Sequence, residues 1–310
     1  MNGFIIIDKP PGITSHDVVS RVRRIIGTRR VGHTGTLDPF ATGVLPIAIN
    51  DGTKAIPFLD EGIKCYEALM QLGTATDTLD ITGQVLSERD CTSVNREMLL
   101  DTFAKFTGTI NQIPPMFSAI KQNGQPLYKL ARQGQQVERA ARQIEIHSIE
   151  LLSFESPLVS FRVSCSRGSY IRTLADDIGA MLGCGACLKE LRRTASGPFL
   201  MQDAVSLDKL EHASREGNLE DYCVTPYAAL GHLADISLNR GGVDRVCHGR
   251  SPERCGIVSE IPLPASNRVL VRLSFDHELV AVAEYLDDAD AVQPGIVLKR
   301  VFKQPDPAAV

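Results

Sequence analysis

The sequence predicts an α+β protein, a large domain of intermingled helices and strands followed by a small β-rich one. Three observations carry the prediction. Strand-like apolar runs and amphipathic helical patterns alternate through the first two hundred residues. After about residue 207 the chain turns acidic and less regular, and from roughly residue 233 it shows the period-2 alternation of strands. At 310 residues it is long enough for one large and one small domain, placed at 1–232 and 233–310.

The elements follow in order. Phe4 to Ile7 reads as a short buried strand closed by the turn Asp8-Lys9-Pro10-Pro11-Gly12. Thr14 is a helix N-cap with Asp17 completing a capping box, Val18, Val22, Ile25 and Ile26 form the apolar face, and Gly27 ends the helix. Its polar face carries Arg21, Arg23 and Arg24, followed by Arg29 and Arg30, which suits a solvated surface and a phosphate-contacting edge about equally. A Gly-rich segment spans 31–43, and strands are expected at Val44–Ile49 and around Tyr66–Leu72. Met98, Leu99, Thr102, Phe103 and Phe106 mark an amphipathic helix. Residues 112–145 read as irregular, with five cations (Lys121, Lys129, Arg132, Arg139, Arg142) against Glu138 and Glu145. Ile144, Ile146 and Ile149 suggest a strand, as does Leu158–Cys165, and Ile171, Leu174, Ala175, Ile178 and Leu182 define a helix. Val269–Phe275 and Leu279–Tyr285 alternate as strands in the tail.

Composition bounds the function. The formal net charge is -4, so any nucleic-acid contact depends on local basic segments such as 112–145. The opening residues lack the pattern of a signal peptide, and no stretch is long and apolar enough for a membrane helix. The 8 cysteines lack the spacing of a secreted disulfide framework, so a cytoplasmic protein with reduced thiols is expected. Cys184-Gly-Ala-Cys187 is a single C-x-x-C, and Cys247 and Cys255 do not complete a zinc set at matching spacing.

The most informative stretch is Gly32-His33-Thr34-Gly35-Thr36-Leu37-Asp38-Pro39-Phe40-Ala41-Thr42-Gly43. Its glycines permit tight turns or close approach, and Pro39 keeps Asp38 out of helical geometry. One carboxylate is thus presented on a constrained support, as a catalytic group requires. An ordered surface loop with an Asp-Pro turn fits the same letters. A phosphate loop fits poorly, for want of a Gly-Lys-Ser/Thr ending.

That stretch resembles the signature G-H-T-G-x-L-D-P-x-A-x-G of the TruB-type tRNA pseudouridine synthases, with every fixed position filled. Further segments are similar to the family's motifs and stand in its order. These are Asp8-Lys9-Pro10 with Gly12, Lys64-Cys65-Tyr66-Glu67-Ala68, and Thr76-Asp77-Thr78-Leu79-Asp80 with Gly83. Pro114–Lys121 and Leu127–Gly134 follow, then Ser166-Arg167-Gly168-Ser169-Tyr170-Ile171-Arg172 and Leu191-Arg192-Arg193. The match covers about residues 3–200, and the tail resembles a PUA domain more loosely.

The resemblance implies a pseudouridine-synthase fold, with a central mixed, mainly antiparallel sheet flanked by helices and a C-terminal PUA-like RNA-binding domain. It implies that uridine 55 in the T-loop of tRNA is isomerised on a flipped-out nucleoside. The reaction moves no electrons in or out and no phosphoryl group, so no cofactor and no metal are expected. By resemblance Asp38 is the nucleophile and Arg172 its cationic partner, although an i,i+4 pair of Arg172 with Asp176 is the ordinary alternative. Tyr66 stacks on the uracil and serves as late proton acceptor. Leu191 packs on base or ribose, and His33 helps fill the space the base vacates. Lys9 is grouped with the substrate-binding residues and expected to support the catalytic loop. Lys121, Arg132, Arg139 and Arg142 belong to an RNA-gripping insertion at 112–145. Asp77 and Asp80 are expected to order loops. The partner is the T-stem-loop of tRNA, with no membrane and a monomeric chain. Rival readings are a dyskerin-like enzyme guided by a separate RNA, an RNA-binding or tRNA-folding chaperone, and an N-glycosidase.

Overall fold

The computed structural model describes residues 1–60, 62–122, 124–259, 268–286 and 295–302. A nine-stranded sheet is built from β1 (Gly3–Lys9), β2 (Val31–His33), β3 (Thr42–Ile49), β4 (Ile63–Leu72), β5 (Gly108–Gln112), β6 (Arg142–Glu155), β7 (Leu158–Ser166), β8 (Ala186–Ser196) and β9 (Phe199–Leu200). Its order is β1-β3-β8-β4-β7-β6-β5, with β2 paired to β3 and β9 to β8. Only the β3–β8 contact is parallel.

Four helices pack on one face: α1 (Ser15–Ile26), α2 (Arg96–Phe106), α3 (Ile171–Met181) and α4 (Leu207–Glu216). Val18, Val22, Leu99, Phe103, Leu174, Ile178, Leu207 and Leu210 bring them into one buried cluster with Ile5, Ile7, Leu45, Ile47, Met70 and Phe161 of the sheet. α1 forms as its sequence dictates. The Thr14 hydroxyl accepts from the Asp17 N–H at 3.1 Å, the Asp17 carboxylate accepts from the Thr14 N–H at 2.9 Å, and Gly27 closes the helix at φ 73.

The uninterrupted apolar run of β1 has a physical reason. Ile5 and Ile7 point to the helix-covered cluster, while Phe4 and Ile6 enter a second one with Val44, Ala48, Phe199, Leu230, Leu279, Val282 and Phe302. Leu279, Val282 and Phe302 come from the C-terminal part, which thus covers the outer face of β1 and β3. That part holds a four-stranded sheet, Ala234–Ser237, Arg268–Phe275, Glu278–Leu286 and Gly295–Val301, with only the first pair parallel. Of the tail expected at 233–310, residues 260–267, 287–294 and 303–310 lie outside the described residues.

Three expectations need correction. The segment 112–145 is not irregular throughout, since it holds a short hairpin (Lys121–Gln122 with Gln125–Pro126) and a helix, Leu127–Arg132. The chain beyond 207 opens with a regular helix, α4, capped by Ser206, whose hydroxyl accepts from the Lys209 N–H at 3.2 Å. The central strand β8 was not foreseen. Bulges at Leu188/Glu190 and Arg193/Ala195 interrupt its alternation, and a charged residue occupies a fully buried position in it.

Candidate active site

The Gly-rich stretch forms the crossover between β2 and β3, and Asp38 sits at its tip. Three elements hold the tip. The Lys9 ammonium at the end of β1 donates to the carbonyls of Pro10 (2.9 Å), Pro39 (3.1 Å) and Ala41 (2.7 Å), and so anchors the loop just past the aspartate. The Ser15 hydroxyl at the start of α1 accepts from the Leu37 N–H at 2.8 Å and donates to its carbonyl at 3.1 Å. The Gly12 N–H donates to the Pro39 carbonyl at 2.8 Å. Gly43 is fixed by packing: at φ 98, a Cβ there would lie 2.2 Å from the Arg193 carbonyl oxygen of β8.

Arg172, in the first turn of α3, reaches the loop tip. Its Nε donates to Asp38 Oδ2 at 2.8 Å and its Nη2 to Asp38 Oδ1 at 3.1 Å, a bidentate pair. The same guanidinium donates to the carbonyls of Thr78 and Phe117, each at 2.8 Å, and its Nη1 lies 3.6 Å from Asp80 Oδ2. The ordinary alternative, a pair with Asp176, is not what Arg172 forms. One buried arginine therefore ties the Asp38 loop, the Thr76–Gly83 turn and the insertion together.

Asp77 and Asp80 behave as the loop-ordering residues expected. Asp80 Oδ1 accepts from the Thr78 hydroxyl (2.9 Å), the Thr82 N–H (3.0 Å) and the Thr82 hydroxyl (2.5 Å). Asp77 Oδ1 accepts from the Gln84 N–H at 2.7 Å. The ion pair of Asp80 with Arg172 was not anticipated.

The electrostatics suit a reactive carboxylate. Asp38 keeps 33% of its side-chain surface, while Arg172 keeps 3%. Protein surrounds Asp38 on most sides, and this burial pushes its carboxyl above the usual carboxylate range; the Arg172 charge and hydrogen bonds pull against it. Lys9 is fully buried, and burial brings its ammonium down to about 8. Its hydrogen bonds to the Pro39 and Ala41 carbonyls fit the support of the loop expected of it.

Tyr66 and Leu191 lie on the helix-covered face of the sheet, almost buried, on the adjacent strands β4 and β8. Burial pushes the Tyr66 phenol upward, Arg193 counteracts, and the Asp38 charge is near enough to act on it. His33, on β2, is partly buried with Nδ1 unpartnered, and burial beside Arg193, His16 and Lys64 lowers its basicity. Arg193 is the chief residue sequence reasoning missed: quoted within a motif but given no task, it proves fully buried behind Tyr66. Tyr170 is also placed here. Its backbone N–H and carbonyl bond the Gln112 side chain at 2.8 and 3.0 Å, which joins β5 to the start of α3.

The basic residues of the insertion gather elsewhere. Lys121, Arg139 and Arg142 line a shallow cleft of about 150 Å³ with Pro114, Leu127 and Glu138. Arg139 donates to the Pro114 carbonyl at 2.8 Å, so part of its task is structural, and Arg132 lies over the Tyr128 ring at 5.6 Å. Cys184 and Cys187 are buried thiols; among the described residues no three His, Cys, Asp or Glu side chains form a metal-binding group.

Comparison with known proteins gives a consistent result. Residues 23–171 match the model described as TruB family pseudouridylate synthase (N terminal domain). Residues 172–230 match that of the tRNA pseudouridylate synthase B C-terminal domain. The chain is 53% identical to tRNA pseudouridine synthase B of Geotalea uraniireducens, covering 92% of each chain. It is 52% identical to that of Geobacter sulfurreducens, covering 92% of this chain and 94% of the relative. It is 43% identical to that of Pseudomonas aeruginosa, covering 82% and 85%. Among solved structures it is similar to a chain of a Cbf5-Nop10-Gar1 complex, with a TM-score of 0.76 and 30% identity over 97% of this chain and 85% of that one. An H/ACA RNP bound to a substrate RNA containing 2'-deoxyuridine gives a TM-score of 0.74 at 28% identity, again over 97% and 85%.

Proposed function

Since the chain belongs to the TruB family of pseudouridylate synthases, we propose that it isomerises uridine 55 in the T-loop of tRNA, with Asp38 as nucleophile. The activity, formation of pseudouridine in tRNA, is that of its family. The finer reading rests on one observation: a carboxylate held bidentate by a buried arginine, yet with a third of its surface open.

In this reading the target uridine leaves its stack and enters beside Asp38. Arg172 keeps the carboxylate ionised where burial would neutralise it, and aims both oxygens. Asp38 attacks, the glycosidic bond breaks, and the uracil is retained, turned and rejoined through carbon. Tyr66 and Leu191 supply the apolar walls that hold the freed base, and Tyr66 accepts the C5 proton at the end. His33 occupies space the base leaves behind. Lys121, Arg132 and Arg142 contact phosphates of the T-stem-loop. Residues 233–310 form a PUA-like domain that adds RNA contact. The protein works as a monomer in the cytoplasm; among the described residues no helix is long and apolar enough to cross a membrane.

A guide-RNA-dependent enzyme is the second reading, favoured by the likeness to chains of H/ACA complexes. The higher identity to stand-alone tRNA synthases weighs against it. The test is to incubate purified protein with an unmodified T-stem-loop RNA alone and map pseudouridine. Modification confined to uridine 55, without any second RNA, is expected. No modification, or modification only when a guide is added, would contradict the proposal.

A further inference from the structure

Arg193 is almost fully enclosed, with 1% of its surface exposed. It lies on β8 directly opposite Tyr66 on β4, so the two side chains share a face of the sheet. Its Nε donates to the Val44 carbonyl at 2.7 Å and its Nη2 reaches the Gly35 carbonyl at 3.4 Å. The Tyr66 phenol is near enough for the Arg193 charge to act on it, against the effect of burial.

Its neighbours are treated differently. Arg172 is matched by Asp38 and Asp80, and Arg192 by Asp8 at 2.9 Å. Among the described residues Arg193 forms no ion pair; its hydrogen bonds go to carbonyl oxygens, and its charge acts on the Tyr66 phenol and on the neighbouring His33 and Lys9. Burying an unmatched guanidinium is costly, and a hydrophobic residue would fill the same space more cheaply. The position is intelligible if an anion forms beside it, and the group there able to become one is the Tyr66 hydroxyl.

We propose that Arg193 is a positioning residue for the pseudouridine reaction: from the neighbouring strand it fixes the Tyr66 phenol and supplies the positive charge that lets the phenol give up its proton. The proposal rests on the reading of Tyr66 as proton acceptor. The phenol proton leaves first to solvent water. After the base has rejoined the ribose through C5, the C5–H bond breaks and its proton goes to the phenolate oxygen. The electron pair of that bond restores the C5–C6 double bond, the C6–N1 π pair moves onto N1, and N1 takes a proton from water. The other groups that act on Tyr66 are Cys165 on β7 and Asp38. Burial pushes Cys165 up to about 11, so it is neutral at working pH, and Asp38 opposes ionisation of the phenol. Arg193 is thus the group that favours it.

The test uses the full chain without RNA. Ultraviolet difference titration of each protein against its Tyr66→Phe counterpart isolates the Tyr66 phenol. In Arg193→Gln the midpoint should rise by about one pH unit, a roughly tenfold loss of phenolate at a given pH. Arg193→Lys keeps the charge with less reach and should rise by less. In single turnover on T-stem-loop RNA, Arg193→Gln should slow chemistry about tenfold at neutral pH, leave RNA affinity unchanged and recover as pH is raised. Unchanged midpoints in both variants overturn the proposal. If Arg193→Gln does not fold, an unmoved midpoint in Arg193→Lys overturns it alone. A Tyr66→Phe enzyme with undiminished chemical rate refutes the proton-acceptor reading instead, and the RNA-free titration keeps the two failures apart.

Discussion

The floor around Asp38 and the basic insertion at 112–145 are both rich in charge, but they are fixed in opposite ways. On the floor Lys9, Arg172 and Arg193 are buried, and each carries two or more hydrogen bonds to backbone carbonyls from distant parts of the chain. In the insertion Lys121 and Arg142 are exposed, and Arg132 rests on a tyrosine ring. A reacting carboxylate must be held to a fraction of an ångström, and multiple buried hydrogen bonds accomplish that. Phosphate contact needs only charge at the right distance, and mobile exposed cations provide it with little desolvation cost. The two regions are joined through the Phe117 carbonyl, which Arg172 holds at 2.8 Å, and through the Gln112 side chain on the Tyr170 backbone.

If this contrast is right, substitutions on the floor should damage chemistry and substitutions on the insertion should damage affinity. Arg172→Met gives the largest effect. It strips Asp38 and Asp80 of their cation, so stability should fall by about 3 kcal/mol, read by denaturant unfolding. Turnover should fall by about 10³-fold. The residual activity should also move with pH. In the proposed mechanism the carboxylate is the active form, so the rate should be lost as pH falls through the Asp38 pKa, which burial raises and Arg172 lowers. Without Arg172 the acid limb should shift to higher pH; a limb at lower pH would break the assignment.

Lys9→Met comes next. It removes the two bonds, to the Pro39 and Ala41 carbonyls, that hold the loop just past Asp38, and a displaced carboxylate should cost roughly 10²-fold in single-turnover rate. Binding of T-stem-loop RNA should hardly change, and a variant that lost affinity alone would place Lys9 among the substrate contacts instead. Smallest is the combined change of Lys121, Arg132 and Arg142 to Gln. RNA affinity should weaken about tenfold, and the salt slope should shrink by about 0.7–0.9 for each lost phosphate contact. The chemical rate at saturating RNA should stay within a few-fold. A large loss at saturation would erase the distinction between the regions.

The parts legible in the sequence were those governed by local rules. The capping box at Thr14 and Asp17, the Gly27 stop and the doubly buried β1 all follow from short-range pattern. The constrained loop around Asp38 was legible as well, through its glycines and Pro39. What joins the site was not, because Asp38 and Arg172 are 134 residues apart and no periodicity links them. That pairing came from family resemblance. β8 was illegible for a different reason: its bulges break the alternation, and Arg193 reads as a surface residue although it is buried. The short helix Leu127–Arg132 has no side-chain cap to announce it.

The most direct measurement is the rate of pseudouridine formation by Asp38→Asn on saturating tRNA, taken together with the dissociation constant. The side chain keeps its size and loses its charge, so turnover should vanish while tRNA still binds within a few-fold of the wild-type affinity. A variant that converts uridine 55 at the normal rate would show that this carboxylate is not the nucleophile.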